Sequence, residues 1–139
     1  MGRAVGIGVV LVLCGGCDDS ISGSIDVRNA TGEAYTFRPG ACVDGDEYHF
    51  WGVQLQDGPR AVDIFERDDV PYAGIYSPGQ AAFEIPLDSC AVFKGELTRQ
   101  TINGSAEMRG DFTFDCTDAE GHAMVGDVSF SQCGADDND

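Results

Sequence analysis

The stretch Ser105-Ala106-Glu107-Met108-Arg109-Gly110-Asp111-Phe112-Thr113-Phe114-Asp115-Cys116 decides the fold. From Ala106 to Cys116 the even-numbered positions are small or apolar, and the odd-numbered positions from Ser105 to Asp115 are polar. This period of two places one face of a β-strand on a core and the other in water. Directly before it stands Asn103-Gly104, the dipeptide suited to the positive φ angles of a two-residue hairpin turn. The segment from Ala91 to Ile102 is therefore predicted to fold back as an antiparallel partner, with Phe93 opposite Phe114 and Leu97 opposite Gly110. All four positions belong to the same face, so the register is self-consistent. Beyond an Asp118-Ala119-Glu120-Gly121 loop, Met124, Val128 and Phe130 mark a third strand of a meander.

The same reading extends upstream. Ser24 to Asn29, Ala34 to Arg38, Tyr48 to Gln56, Ala61 to Glu66, Tyr72 to Tyr76 and Gln80 to Pro86 are strand candidates. Thr31-Gly32, Asp57-Gly58-Pro59 and Ser77-Pro78-Gly79 supply turns between them. About nine short strands at this spacing, with no helical periodicity, predict an all-β fold, an antiparallel β-sandwich with a small β-barrel as the alternative.

At the amino terminus, Met1-Gly2-Arg3 precedes an apolar run from Ala4 to Leu13 that ends at Gly15-Gly16 and Asp18-Asp19. The run is shorter than the ~20 apolar residues of a bilayer-spanning helix and has the charged start and apolar centre of a secretory signal peptide. Leu13-Cys14-Gly15-Gly16-Cys17 resembles a lipobox, the cleavage and acylation site of bacterial lipoproteins, with small Gly16 just before the cysteine. The resemblance covers the leader alone. It implies cleavage before Cys17, a lipid on Cys17, and a protein exported to the cell membrane or outer membrane. The expected organisation is a signal peptide over 1–16, the lipidated cysteine and a short tether over 17–23, the all-β domain over 24–133, and an acidic disordered tail over 134–139.

Removing the leader takes Arg3 and no acid, so 7 basic side chains remain against 24 acidic ones. That balance excludes nucleic acid as a partner and, with Lys94 the only lysine, excludes a polybasic patch for anionic headgroups. The membrane partner is reached through the anchor, and a protein or glycan partner is not legible.

Cys42, Cys90, Cys116 and Cys133 remain for the domain, and an oxidising compartment predicts two disulfides. Their spacing lacks the short Cys-x-x-Cys pairs of a structural zinc site. In the predicted meander Cys116 lies at the loop end of its strand and Cys133 at the far end of the next. At ~3.3 Å per residue these are too distant to bridge. The same distance separates Cys90 from Cys133, which leaves Cys90 with Cys116 and Cys42 with Cys133. The hairpin register points Cys90 and Cys116 to opposite faces, so this pairing requires a bulge or a turned chain near Ser89.

Two groups of residues offer ligand chemistry. Asp44, Asp46 and Glu47, and separately Asp118 and Glu120, place carboxylates in loops where calcium is a candidate cofactor; a solvated acidic surface is the alternative. Tyr48, Trp51, Tyr72 and Tyr76 are candidates for stacking sugar rings in a carbohydrate-binding module, although aromatics on strands are more often core, as the parity Trp51 shares with Val53 and Leu55 suggests. No Gly-x-Ser-x-Gly, His-Glu-x-x-His or glycine-rich phosphate loop is present. The favoured function is a non-enzymatic binding or structural module of the cell envelope; the competing class is a small hydrolase using a pair of the 24 acids.

Overall fold

The computed structural model describes residues 20–102 and 105–134. The expected leader, Cys17, the turn expected at Asn103-Gly104 and the tail expected from residue 135 lie outside the described residues. Among the described residues there are ten strands: β1 Ser20–Arg28, β2 Ala34–Phe37, β3 Ala41–Asp44, β4 Gly52–Asp57, β5 Arg60–Arg67, β6 Val70–Tyr76, β7 Phe83–Pro86, β8 Val92–Ile102, β9 Ser105–Thr117 and β10 Ala123–Cys133. Short 3-10 turns cover Gly45–Tyr48 and Leu87–Ser89. The strands form two five-stranded antiparallel sheets, ordered β2-β1-β10-β9-β8 and β3-β4-β5-β6-β7. They face each other as a β-sandwich and do not close into a barrel.

The decisive hairpin has the expected register, with Phe93 paired to Phe114, Leu97 to Gly110 and Ile102 to Ser105. Its even-numbered face is the core: Met108, Phe112, Phe114 and Cys116 are buried against Ile25, Phe37, Leu55 and Ile64. Several strand boundaries differ from the sequence reading, among them Phe83 for the start expected at Gln80 and Val70 for the one expected at Tyr72. β1 is described from Ser20, where the sequence reading started the strand at Ser24, and Ser20 to Gly23 pair with Ser131 to Val128 of β10. The strand expected from Tyr48 starts only at Gly52, and β3, which was not foreseen, pairs with β4 from Ala41 to Asp44.

Contacts around the rim show that the strands of the two sheets cross. β3 lies along the Ser20 end of the first sheet, with Cys42 bonded to Cys133 and the Asp44 amide donating to the Gly134 carbonyl at 2.9 Å. β7 lies at the opposite end, where Phe83 stacks on His122 with ring centroids 3.9 Å apart. The turns of the second sheet reach the β1–β2 hairpin, Arg60 over the Tyr35 ring and Gln80 accepting from Asn29. At the other side of the sheet Asp44 meets Arg99 of β8. The second sheet thus runs from the β2 edge to the β8 edge, across the strands beneath it, the crossed form of sheet packing.

The disulfides are Cys42–Cys133 and Cys90–Cys116, with Cα atoms 5.1 and 4.4 Å apart. Local irregularities bring each sulfur into place. The 3-10 turn Leu87–Ser89 turns the chain just before Cys90. At the end of β10, Ser131 and Gln132 together face Arg109, a bulge with Gln132 at φ 61°, so the inward parity of Val128 and Phe130 passes to Cys133. Loop entropy assigns about 3.5 kcal/mol to the shorter closure and about 4.6 to the longer.

Candidate functional site

The outer face of the second sheet does not look like an ordinary solvated face. Val53, Leu55, Val62, Ile64, Ala73, Ile75 and Ile85 turn inward, so Gln54, Asp63, Phe65, Arg67, Tyr72, Gly74, Tyr76 and Glu84 turn outward. Phe65 stacks on its cross-strand neighbour Tyr72 at 5.5 Å and takes the edge of Phe50 at 5.9 Å. These rings form a second, smaller apolar layer outside the sandwich.

Polar groups are set into this layer. Asp63 is 8% exposed and faces Gln54 on one side and Gly74 on the other. Its Oδ1 accepts from Gln54 Nε2 at 3.0 Å, and the Tyr76 hydroxyl also hydrogen-bonds to it. Burial pushes the Asp63 carboxyl above the ordinary carboxylate range, against the lowering effect of those two bonds. Burial likewise raises Tyr76, helped by the charges of Asp63 and Glu84. Arg67 grips Glu84 through two bonds of 3.0 and 3.3 Å, with its guanidinium 4.9 Å from the Tyr72 ring centre and 5.2 Å from that of Phe65. Gly74 keeps the floor open, since a Cβ there would lie 3.1 Å from the Tyr76 hydroxyl.

Trp51 stands at the rim. With His49, Phe50, Asp63, Phe65, Glu66, Arg67, Tyr76 and Glu84 it borders an open depression of about 420 Å³. Its parity with Val53 and Leu55 predicted a core position, but Trp51 is 40% exposed. The ladder begins only at Gly52–Phe65, after the 3-10 turn and the left-handed residue His49, so strand alternation does not reach Trp51. Of the four aromatic candidates, Trp51 and Tyr76 share this depression and Tyr72 lies beneath Arg67. Tyr48 is exposed on the 3-10 turn and does not line it.

A depression of about 480 Å³ on the outer face of the first sheet is bordered by Ser22, Thr98, Gln100, Arg109, Asp111, Ser129 and Ser131. It holds no exposed ring and no buried charge, and reads as a solvated sheet face.

The carboxylate candidates are placed otherwise than the loop reading expected. Asp44 ends β3 and is buried, and Arg99 clamps it at 2.9 and 3.1 Å while also reaching Asp46 at 3.1 Å. Asp44 Oδ1 also caps the 3-10 turn through the Asp46 amide. A guanidinium thus occupies the place where calcium was considered, and the side chain of Glu47 lies outside the described atoms. Asp118 and Glu120 are joined by His122, whose role sequence reasoning missed although Asp118 and His122 flank one short loop. Asp118 Oδ2 lies 2.7 Å from His122 Nδ1, and Asp118 Oδ1 accepts from the Glu120 and His122 amides. Burial acts to raise the Asp118 carboxyl, but the hydrogen bonds from the His122 ring and the two amides outweigh it and hold the group below its usual range. One ligand atom from each of the three residues falls within 4.8 Å of the others, a spacing that suits a metal ion and equally a hydrogen-bonded Asp–His pair.

Comparison with protein families, with curated proteins and with solved structures gives no match for this chain.

Proposed function

We propose that the chain is an exported lipoprotein, anchored through an acylated Cys17, whose sandwich is a non-enzymatic binding module of the cell envelope that docks its ligand on the outer face of the second sheet. The leader pattern supports export, and the two disulfides suit an oxidising compartment. With β1 starting at Ser20, only Asp18 and Asp19 separate the anchor from the domain, so the pole carrying Ser20 and Cys133 sits against the membrane. The docking face rests on one observation above all, a large exposed indole beside a buried carboxylate. Asp63 is satisfied by neutral partners and Glu84 by Arg67, an arrangement that favours recognition over acid–base catalysis.

A membrane fraction of the native host tests both halves in one preparation. Intact mass should show Cys17 acylated and four further cysteines that alkylate only after reduction. Emission from Trp51, the single tryptophan, should shift when the purified mature protein is returned to envelopes stripped of it. An unmodified Cys17 would overturn the anchor, and an unchanged emission the docking face.

A further inference from the structure

The loop between β9 and β10 brings two carboxylates to one ring nitrogen. His122 Nδ1 stands 2.7 Å from Asp118 Oδ2 and 3.8 Å from Glu120 Oε1. A neutral imidazole carries a single proton, and at Nδ1 that proton serves one of the two oxygens. A hydrogen-bonded pair thus accounts for Asp118 and leaves Glu120 unmatched, and among the described residues no arginine or lysine pairs with either acid. The donors are held from two directions. The Glu120 and His122 amides both donate to Asp118 Oδ1, which fixes where Oδ2 points. From the second sheet, Phe83 of β7 stacks on the imidazole at 3.9 Å with the planes 10° apart, so the ring, its side chain 12% exposed, keeps its Nδ1 edge toward the carboxylates. Bonds of ~2.0–2.1 Å at tetrahedral angles set ligand atoms ~3.4 Å apart. The two separations at Nδ1 bracket that spacing, and an exposed Glu120 side chain closes the larger one by rotation.

We infer that Asp118, Glu120 and His122 bind a divalent first-row transition metal ion, with Zn2+ as the type, through two carboxylate oxygens and Nδ1, water completing the shell. The imidazole decides the class. Nitrogen suits zinc, copper and nickel, whereas calcium takes six to eight oxygens. Asp118 and Glu120, offered to calcium by their loop position, thereby pass to a different metal. On binding, Nδ1 gives its lone pair to the ion and the ring proton resides on Nε2, so the neutral ring loses no net proton. The site lies where β7 meets the β9–β10 loop, at the pole opposite Ser20, and is independent of the docking face.

The test uses the mature, oxidised protein without an affinity tag, stripped with a chelator and titrated with Zn2+ by calorimetry and with Co2+ by visible absorption. About 0.15 M salt screens bulk attraction between exposed charges beyond ~8 Å. One ion per chain is expected. Loss of an outer-shell partner alone costs about 10–100-fold in metal affinity, so His122→Ala and Glu120→Ala, which remove ligands, should each weaken binding at least tenfold. Asp111→Asn, at an exposed position on the outer face of the first sheet, should leave it unchanged, as should a large excess of Ca2+. Glu120 is 77% exposed, so its variant keeps the test valid if His122→Ala fails to fold. No heat and no cobalt spectrum would overturn the inference, as would wild-type affinity in either ligand variant. Equal weakening by Asp111→Asn would reduce the binding to bulk charge, and displacement by Ca2+ would make the site an oxygen site; either result overturns the assignment.

Discussion

The outer faces of the two sheets are made by the same backbone geometry and come out as opposites. On the first sheet Ser22, Ser24, Asp26, Thr113, Asp115, Asp127 and Ser129 alternate with the core positions of β1, β9 and β10, and each meets water. On the second sheet the outward positions include Asp63 and Phe65, both buried. Plain alternation describes a surface that only has to be soluble. Where outward residues are buried aromatics and a desolvated carboxylate, the face carries a requirement beyond folding.

The contrast breaks most sharply under truncation. Phe65→Ala should destabilise the oxidised protein by about 3 kcal/mol or more, because it removes a ring packed between Phe50 and Tyr72. Thr113→Ala, at the equivalent outward position of the first sheet, should stay within about 0.5 kcal/mol. Urea unfolding of both variants measures the pair, and equal small effects would make the two faces energetically alike. Next in size is Arg99→Ala. Arg99 belongs to the first sheet but neutralises Asp44 of the second, and its loss leaves a carboxylate that is 3% exposed without a counter-charge. About 2 to 3 kcal/mol should be lost, less than for a fully enclosed pair because Arg99 keeps some access to water.

The smallest effect concerns pH and has opposite signs at two aspartates. Asp63 is held above its ordinary range, so between ~3.9 and its raised value the folded state binds more proton than the unfolded one. Stability therefore falls as pH rises through that window. Asp63→Asn should be the more stable form at neutral pH, with the advantage gone below about pH 4. Asp118 is held below its ordinary range, and its contribution is present above ~3.9 and lost as pH falls through the depressed value. Asp118→Asn should accordingly be less stable at neutral pH, with the deficit closing in acid. Thermal melts across pH 3 to 7 should give two difference curves of opposite sign, and curves of one sign would remove the desolvated carboxylate from the comparison.

The first sheet was the legible part. A strict period of two in β9, a turn dipeptide before it and the length of a strand were enough to give the register, which depends on neighbours in sequence, and the disulfide pairing followed by elimination, because the meander keeps Cys90 and Cys116 away from Cys133. The second sheet was legible only as strand candidates. β3 has four residues, too few to show alternation, and its partner Arg99 lies 55 positions from Asp44, beyond any local pattern. Trp51 was placed by a parity that stops at Gly52, because the turn before the strand breaks the alternation. The site was half named, with Trp51 and Tyr76 among the candidates. Asp63, Phe65 and Arg67 were missed because they occupy positions that alternation assigns to solvent.

β1 and β10, the first and last strands among the described residues, are neighbours in the middle of one sheet, and Cys42 is bonded to Cys133 across 91 positions. During synthesis β1 has only β2 beside it until β10 arrives, and the long crosslink cannot form before residue 133 is free. The Cys90–Cys116 bond, spanning 26 positions within one stretch of chain, can close earlier. Such dominance by distant pairings slows folding. A chain built this way keeps its sandwich open until β10 joins β1, so the last strand of the pair locks the two sheets together.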